Sequence, residues 1–225
     1  MLRKETVSNQ LLENLTSLME MKTIATHRLV GGTALALQMG HRISVDIDLF
    51  SDKKNDYEAI QEELFEKFGK HFEKGRNINS PIGKGIAVFL NNIKTDILDW
   101  NAPFIRPPFL DENIRMAHKE DIIPMKFNTF LCSVEYARYE KKDFIDIATL
   151  MKEFTLERMI GLYKEKYPAE SMSDRLMIEG LQLSELADKK LMPEMLDGRT
   201  WDDTKKQIEK SIKIFLENKM GEKAE

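Results

Sequence analysis

The chain contains almost no cysteine and no long apolar segment. Cys132 is the single cysteine among 225 residues, which excludes an internal disulfide, and no spacing of cysteine and histidine indicates a zinc site. No apolar run approaches the roughly 20 residues that a membrane-spanning helix needs. The first ten residues are polar and lack the apolar core of a signal peptide. We therefore expect a cytoplasmic protein without membrane contact.

The chain also lacks an excess of positive charge. It carries 34 Lys and Arg against 38 Asp and Glu, and its net charge is −4. No global basic field would therefore recruit nucleic acid, although local basic patches are compatible with this balance. A hydrophobic fraction of 42% and a charged fraction of 32% are ordinary for a soluble globular protein, and the length suits one large domain or two small ones.

What the chain does contain is a glycine pair placed between a strand and a helix. A short strand is predicted over residues 27–30 and a helix over residues 33–39, with Gly31 and Gly32 between them. Glycine permits close approach of a ligand to the backbone, and a helix N-terminus carries partial positive charge. The N–H groups of Gly31, Gly32 and Thr33 can therefore face phosphate groups.

An acidic strand follows the helix. Residues 43–50 are predicted to be extended, and because side chains alternate between the faces of a strand, Asp46 and Asp48 lie on the same face. The opposite face is aliphatic and consists of Val45, Ile47 and Leu49. Two carboxylates on one face repel each other unless a cation lies between them. A hard divalent cation such as Mg²⁺, which prefers oxygen ligands, is the expected occupant.

A candidate third carboxylate comes from a predicted hairpin. Residues 86–90 and 93–98 are predicted as paired strands joined by a tight turn at Asn91-Asn92. Asp96 shares a strand face with Lys94 and Leu98, opposite the aliphatic face of its strand, whereas Asp99 has the opposite parity. If this strand neighbours the acidic strand, Asp96 can join the other two carboxylates. Asp99 would need a bulge or a strand end to do so, and we favour Asp96.

The chain changes character near residue 118. Residues 1–118 mix strand and helix patterns and predict an α/β domain around a small mixed sheet, with a proline-rich loop at 101–111. Residues 119–225 show only helical patterns and predict a helical domain. Other helices are predicted at residues 11–19, 57–68, 122–134 and 142–154, after Thr155 as far as Pro168, at 173–190, and after Thr200 to about Lys219.

The order of these motifs resembles the nucleotidyltransferases of DNA polymerase β type. The fuller pattern is similar to that of the AbiEii/AbiGii toxins of abortive-infection and toxin–antitoxin systems. Their pattern is Gly-Gly-Thr-Ala-Leu, then Arg-x-Ser-x-Asp-x-Asp, then a helical lysine and a Lys/Arg-Asp-x-x-Asp helix. This chain matches it at residues 31–35, Arg42, Ser44, Asp46, Asp48, Lys126, Lys142, Asp143 and Asp146. The implied fold class is α+β, a nucleotidyltransferase-type small mixed sheet with flanking helices followed by a C-terminal helical bundle.

The resemblance implies an enzyme that transfers NMP from an NTP to an acceptor hydroxyl with release of pyrophosphate. Mg²⁺, or alternatively Mn²⁺, would lie on Asp46, Asp48 and Asp96, and Lys126 would neutralise charge on the triphosphate. The implied nucleotide-binding residues are Gly31, Gly32, Thr33, Arg42, Ser44, Asp143 and Asp146. The acceptor would be a tRNA 3′ end or a protein hydroxyl, and a cognate antitoxin is an expected partner.

Several alternatives stay open at this point. Arg42 either contacts the nucleotide or pairs with an acid at the surface. Asp143 and Asp146 orient Lys126 or Arg42, contact the base or the acceptor, or are plain surface acids. For the whole chain, the main alternative is a weak or inactive nucleotide-binding or interaction module with the same fold. A further alternative is a phosphoryl transferase that moves a different part of the NTP.

Overall fold

The computed structural model describes residues 1–80, 83–131, 139–169 and 172–221. The chain divides into two compact units, Met1–His118 and Lys119–Glu225. Within the described ranges, no helix combines the length and the apolar character that a bilayer crossing requires. Cys132 and the predicted helix end at residue 134 lie outside the described residues.

A mixed β-sheet forms the centre of the first unit. Seven strands of the described residues belong to it: β1 (Arg28–Leu29), β2 (Ile47–Ser51), β3 (Phe72–Ser80), β4 (Gly83–Leu90), β5 (Ile93–Trp100), β6 (Phe109–Asp111) and β7 (Ile114–Met116). Their order in space is β3-β4-β5-β2-β1-β7-β6. The pairs β2–β5 and β1–β7 are parallel, and the other neighbours are antiparallel. The predicted mixed sheet is therefore confirmed.

Three α-helices flank this sheet. They are α1 (Asn9–Met19), α2 (Gly31–Met39) and α3 (Tyr57–Phe68), with short 3-10 turns at Lys4–Thr6 and Gly69–His71. The side chains of Ser8 and Asp56 cap α1 and α3 by accepting backbone N–H groups of the first turn. Helix α2 begins at Gly31, earlier than the predicted residue 33, and ends at Gly40, whose φ of 72° suits the left-handed conformation of a helix cap.

The β4–β5 hairpin is confirmed in position and turn. Asn91 and Asn92 have φ values of 49° and 64°, and two positive φ values in a two-residue turn give the twist that antiparallel strands need. Both strands are longer than predicted, since β4 begins at Gly83 and β5 ends at Trp100. This length brings all of residues 93–100 into the ladder with β4.

Edge strands account for the elements that the sequence pattern did not predict. Strand β3 lies at one edge of the sheet, is mostly exposed, and has no alternation of apolar side chains. Strands β6 and β7 lie toward the other edge, and β6 begins inside the segment 101–111 that we expected to be a loop. An edge strand is specified by its neighbour more than by its own apolar pattern.

The predicted strand over residues 43–50 is shorter in the structure, because β2 begins at Ile47. The residues before it use their backbone elsewhere: Ser44 N donates to Thr6 O (2.8 Å), and Asp46 O accepts from the Thr33 hydroxyl (2.5 Å). Val45 was expected on the buried aliphatic face but is 66% exposed, since it lies in this non-ladder segment. Residues in β2 itself alternate between buried and half-buried as predicted.

The second unit is helical. Its described α-helices are α4 (Lys119–Leu131), α5 (Lys141–Leu150), α6 (Leu156–Lys166), α7 (Asp174–Gln182) and α8 (Trp201–Gly221), with a 3-10 turn at Leu183–Ala187. Helix α4 contacts α5, α6 and α7, and α8 contacts the same three helices. The expected helical bundle is therefore present.

Caps explain where several of these helices begin. Thr155 accepts from Arg158 N, and Thr200 and Asp203 exchange the reciprocal bonds of a capping box at 3.1 and 3.0 Å. Other boundaries differ from the predictions. Helix α4 begins at Lys119 rather than residue 122, so Pro124 lies inside the helix rather than in its first turn. Helix α5 ends at Leu150 rather than residue 154, and the predicted helix 173–190 becomes α7 and the 3-10 turn that follows it.

Candidate active site

The glycine turn lies directly beside Asp48. Gly31 has a φ of 68°, which favours glycine, and a Cβ at this position would lie 2.7 Å from Asp48 Oδ2. The two segments are also joined by a hydrogen bond from Val30 N to Asp48 O (2.9 Å). The N-terminus of α2 and the Asp48 carboxylate therefore form one surface, as the sequence suggested.

Thr33 connects α2 to the segment that carries Asp46. Its hydroxyl donates to Asp46 O (2.5 Å) and lies 2.9 Å from the Ser44 hydroxyl. Because the single Thr33 proton is used for Asp46, the Ser44 hydroxyl is the donor in the second bond. Ser44 is buried and bonded to Thr33, so in this structure its hydroxyl positions the Asp46 backbone. A contact between Ser44 and a phosphate stays a prediction.

The strand that carries Asp96 is the neighbour of the acidic strand. Strand β5 runs parallel to β2, and Asp96 is the register partner of Asp48. Residues directly opposite each other in a parallel pair point to the same face of the sheet. Asp96 and Asp48 therefore lie on one face, which fulfils the condition that the sequence left open.

Asp99 belongs to the other face. Its side chain accepts hydrogen bonds from the backbone N and the side-chain amide of Asn55, and its backbone N donates to the Tyr57 hydroxyl (2.9 Å). Burial raises the pKa of Tyr57, and the neighbouring Asp99 raises it further. Asp99 thus holds the start of α3 against the sheet, so the geometry favours Asp96 as the companion of Asp48.

A lysine binds the Asp96 carboxylate. Lys94 Nζ lies 2.5 Å from Asp96 Oδ2. The other oxygen, Oδ1, is buried and meets no hydrogen-bond partner among the described residues. A buried carboxylate oxygen without a partner is uncommon and indicates an unmet bond to a proton, a water or a cation.

The three carboxylates do not form a complete metal cage. Over the described ranges, no group of three or more His, Cys, Asp and Glu side chains lies close enough together to hold a metal ion. At Asp96, one carboxylate oxygen is bound by Lys94. The donor chemistry of Asp46 and Asp48 still fits Mg²⁺, because this ion is usually held by one or two carboxylates together with substrate phosphates. A metal on these residues stays a prediction.

Arg42 is buried rather than exposed. It retains 3% of its exposed surface, and its Nη1 donates to Ile43 O (3.0 Å). The interpretation of Arg42 as one half of a surface ion pair is therefore wrong, because the residue is not at the surface. Its predicted contact with the nucleotide stays a prediction.

In the helical unit, Lys126 lies between two carboxylates. Its Nζ is 2.8 Å from Asp143 Oδ1 and 2.6 Å from Asp146 Oδ2, and all three side chains are largely buried. Of the alternatives for Asp143 and Asp146, the structure shows that they orient Lys126 and are not plain surface acids. Helix α4 supplies the lysine and α5 supplies both acids, so this cluster also joins the two helices. The role of Lys126 toward a triphosphate stays a prediction.

Lys94 is the site residue that sequence reasoning did not single out. The two-residue spacing had already placed it on the face of Asp96. Strand alternation therefore predicts that Lys94 shares a face with Asp96, but it does not predict the ion pair between them.

Two known proteins are similar to this chain over most of its length. A protein of Aquifex aeolicus (strain VF5) described as uncharacterized is 26% identical over 197 residues, covering 84% of this chain and 88% of its own length. The crystal structure of a protein from H. pylori described as a nucleotidyltransferase superposes with a TM-score of 0.53 at 18% identity, covering 97% of this chain and 99% of that one. At this identity the second likeness supports the fold.

The family comparison covers most of the chain. The model of the family described as nucleotidyl transferase AbiEii toxin, type IV TA system, matches residues 25–217. This range includes the glycine turn, the acidic segment, the β4–β5 hairpin and the helices that carry Lys126 and Asp143. The chain therefore belongs to the AbiEii family of nucleotidyltransferase toxins, and it is a nucleotidyltransferase.

Proposed function

We propose that the first unit binds an NTP at the α2 N-terminus, with Mg²⁺ on Asp46 and Asp48, and transfers its NMP to an acceptor hydroxyl with release of pyrophosphate. The observation that carries the proposal is the contact between Gly31 and Asp48. At this point a carboxylate lies 2.7 Å from where any side chain on residue 31 would begin. The site thus combines an anion-binding helix end with a cation-binding group.

The backbone of the glycine turn supports phosphate binding. The first N–H groups of an α-helix have no partner inside the helix, and those of Gly31, Gly32 and Thr33 open α2. They point along the helix axis toward its N-terminal end, where the partial positive charge favours anions. Gly31 has a left-handed φ of 68° and no side chain, so no side-chain atom of residue 31 covers this backbone.

The state of the Asp46 side chain supports a cation. Among the described residues its carboxylate makes no hydrogen bond or ion pair, while its backbone is held by Thr33. An acidic group fixed at the backbone and unpaired at the side chain suits a hard cation shared with phosphate oxygens. The chemistry that a bound Mg²⁺ supplies is neutralisation of charge on the phosphates and on the leaving pyrophosphate.

In the transfer itself, the acceptor oxygen bonds to the α-phosphorus while the bond from that phosphorus to pyrophosphate breaks. The proton of the acceptor hydroxyl needs a base, and Asp96 on the same sheet face either takes it or completes the cation site. The unpartnered Oδ1 of Asp96 supports both roles.

The acceptor is proposed from the family. Its toxins suggest a tRNA 3′ end, with a protein hydroxyl as the competing acceptor. The net charge of −4 disfavours non-specific RNA binding, because phosphate contacts by Lys and Arg usually dominate that affinity. Membership of a type IV toxin–antitoxin family also implies an antitoxin partner.

A transfer assay tests the function. The full chain is incubated with each α-labelled NTP and Mg²⁺, with total tRNA or cell protein as acceptor. We expect label in one acceptor class and stoichiometric pyrophosphate. Asp48→Asn should abolish transfer, whereas Asp99→Asn, the same change on the opposite face of the sheet, should retain most of it. Equal transfer by the native chain and by Asp48→Asn would contradict the proposal.

Two observations favour the alternative of a weak or inactive nucleotide-binding module: Lys94 already binds Asp96, and no three-acid group is found in the described residues. This alternative predicts thermal stabilisation by NTP and Mg²⁺ without release of pyrophosphate. The mass of the product distinguishes phosphoryl transfer from nucleotidyl transfer, because a phosphoryl transferase adds phosphate to the acceptor rather than NMP.

A further inference from the structure

An apolar groove runs along the C-terminal half of α8 in the helical unit. Its volume is about 370 Å³, and the end of α7 at Gln182 forms its other side. The residues of α8 that line it are Glu209, Ile212, Lys213, Leu216, Glu217 and Met220. Leu216 is 44% exposed and Met220 is 65% exposed. Apolar side chains that are open to water and rimmed by charges are typical of an interaction surface.

The lining residues of α8 form two stripes along the helix. Residues four apart are neighbours on a helix surface, so Ile212, Leu216 and Met220 make an apolar stripe. Lys213 and Glu217 make a charged stripe on one flank of it, with Lys213 Nζ 3.8 Å from Glu217 Oε1. Both charged side chains are mostly exposed, so their pairing within the helix contributes little stability. They are therefore available to a partner.

Both stripes match their own copies when two α8 helices run antiparallel. A two-fold axis at Leu216 places this residue against Leu216 of the second copy. It places Ile212 against Met220 of the second copy, because both lie four residues from Leu216. The same axis brings the charged flank of each copy together with its direction reversed, so Lys213 meets Glu217 of the second copy. Their midpoint is position 215, only about 1.5 Å along the helix from Leu216.

Other positions of the axis satisfy one stripe or neither. An axis at Lys213 sets this lysine against itself, and an axis at Glu217 sets two carboxylates together, which is unfavourable in both cases. An axis at position 211 opposes unlike charges, but it places Met220 against Asp202 of the second copy. The axis near Leu216 is thus favoured by charge and by apolar contact together.

We propose that this groove is a homodimer interface, in which α8 of a second copy packs antiparallel across it. The interface is isologous, since the same surface of each copy meets its equivalent. The surface is small, so the dimer has micromolar rather than nanomolar affinity. Each lining residue belongs to the helical unit and none to the acidic surface, so this inference does not depend on the proposed function.

Sedimentation equilibrium of the full chain tests the apolar stripe. Up to about 100 µM, we expect the native chain to approach twice the mass of one chain. Leu216→Glu should raise the dissociation constant at least about tenfold, because it puts an unpaired carboxylate at the axis. Ile214→Glu is the matched control, since Ile214 is 47% exposed but lies about 200° around the helix from Leu216. It should dimerise like the native chain.

A mixing experiment tests the charged stripe. Lys213→Glu and Glu217→Lys should each weaken the dimer at least about tenfold by themselves, because like charges then face each other. An equimolar mixture of the two variants should dimerise nearly as well as the native chain. In the mixed dimer, every position 213 meets an opposite charge at position 217 of the other chain. The pair within each helix stays broken in the mixture, so recovery reports a contact between chains.

The outcomes decide the inference one by one. A native chain that stays monomeric up to about 100 µM overturns it. Equal dimerisation of Leu216→Glu and the native chain, or equal weakening by Ile214→Glu and Leu216→Glu, overturns the assignment to this groove. A mixture that dimerises no better than its two components overturns the antiparallel register. Since no nucleotide is present, each of these results leaves the transfer assay to decide the proposed function by itself.

Discussion

At the scale of single residues, Gly31 is the position at which one added methyl group should have the largest effect on the site. In Gly31→Ala the new Cβ would lie 2.7 Å from Asp48 Oδ2, so the carboxylate must move. The positive φ also costs a non-glycine residue about 1 kcal/mol. We expect Gly31→Ala to lose nucleotide transfer while the free energy of unfolding falls by a small amount, measured by urea denaturation.

Gly198→Ala provides the matched control for that experiment. Gly198 has a φ of 71°, close to the 68° of Gly31, but a Cβ added to this residue would meet nothing within 4 Å. This variant should therefore show a comparable loss of stability and keep its transfer activity. Equal activity in the two variants would mean that the contact between residue 31 and Asp48 is unimportant.

His27 should make stability depend on pH. It is fully buried, and neither ring nitrogen has a partner in the described residues. Burial lowers the pKa of His27 from 6.5 to about 4, against an opposing effect of Asp99. Below pH 6.5 the unfolded chain binds a proton at His27, whereas the folded chain does not. The contribution of neutral His27 to the free energy of unfolding is therefore complete above pH 6.5 and is lost as the pH falls toward 4.

The expected loss is about 2 kcal/mol of unfolding free energy between pH 7 and pH 5. His27→Phe keeps a planar ring and cannot titrate, so its stability should fall less over the same range. Urea denaturation at both pH values measures the difference. Parallel pH profiles for the native chain and the variant would show that His27 is not a source of acid sensitivity.

At the scale of elements, the packing of α4 on α5 depends on a buried ionic cluster. Lys126→Met would remove the buried ammonium that lies between Asp143 and Asp146, and breaking a buried pair from one side typically costs about 3–5 kcal/mol. We expect a loss of this order in chemical denaturation. The triple variant Lys126→Met, Asp143→Asn, Asp146→Asn should recover part of it, because the two carboxylates lose their charge together with the lysine.

Lys152→Met is the control for this substitution. Lys152 pairs with Asp197 at 3.1 Å, but its side chain is half exposed, and such pairs contribute about 1 kcal/mol or less. If Lys152→Met lost as much unfolding free energy as Lys126→Met, the burial of an ion pair would not determine the cost of breaking it in this unit.

Elements with a strong local signal could be predicted from the sequence, and those specified by their neighbours could not. The Asn91-Asn92 turn and the helix starts after Thr155 and Thr200 depend on local chemistry, and all three are confirmed. Strand β3 is held by its pairing with β4, and its own sequence shows no alternation of apolar and polar residues. The start of β2 was misplaced because backbone bonds to Thr6 and Thr33 end the ladder, and neither is visible in a two-residue alternation.

The same limit applies to the candidate site. Alternation placed Asp96 on the correct face, and the register with Asp48 then followed from the strand order. The ion pair from Lys94 depends on side-chain reach within β5, so face assignment alone did not reveal it. Burial of Arg42 is a tertiary property and could not be deduced from the composition around it.

At the scale of the whole molecule, toxicity should depend on the same residues as nucleotide transfer. The family match extends over residues 25–217 and places the chain in a family of toxins, so we expect induced expression of the native chain to slow the growth of a sensitive bacterial host. Asp48→Asn removes the proposed cation ligand and Gly31→Ala displaces it. Both variants should accumulate as folded protein and allow normal growth.

Asp99→Asn tests whether lost toxicity reflects the site or general damage to the sheet. Asp99 supports the start of α3 from the opposite face, so its substitution weakens the same sheet without touching the acidic surface. We expect this variant to slow growth nearly as strongly as the native chain at equal soluble yield. If Asp48→Asn were equally toxic, growth arrest would arise from binding alone, since a chain without its cation ligand would still act on the host.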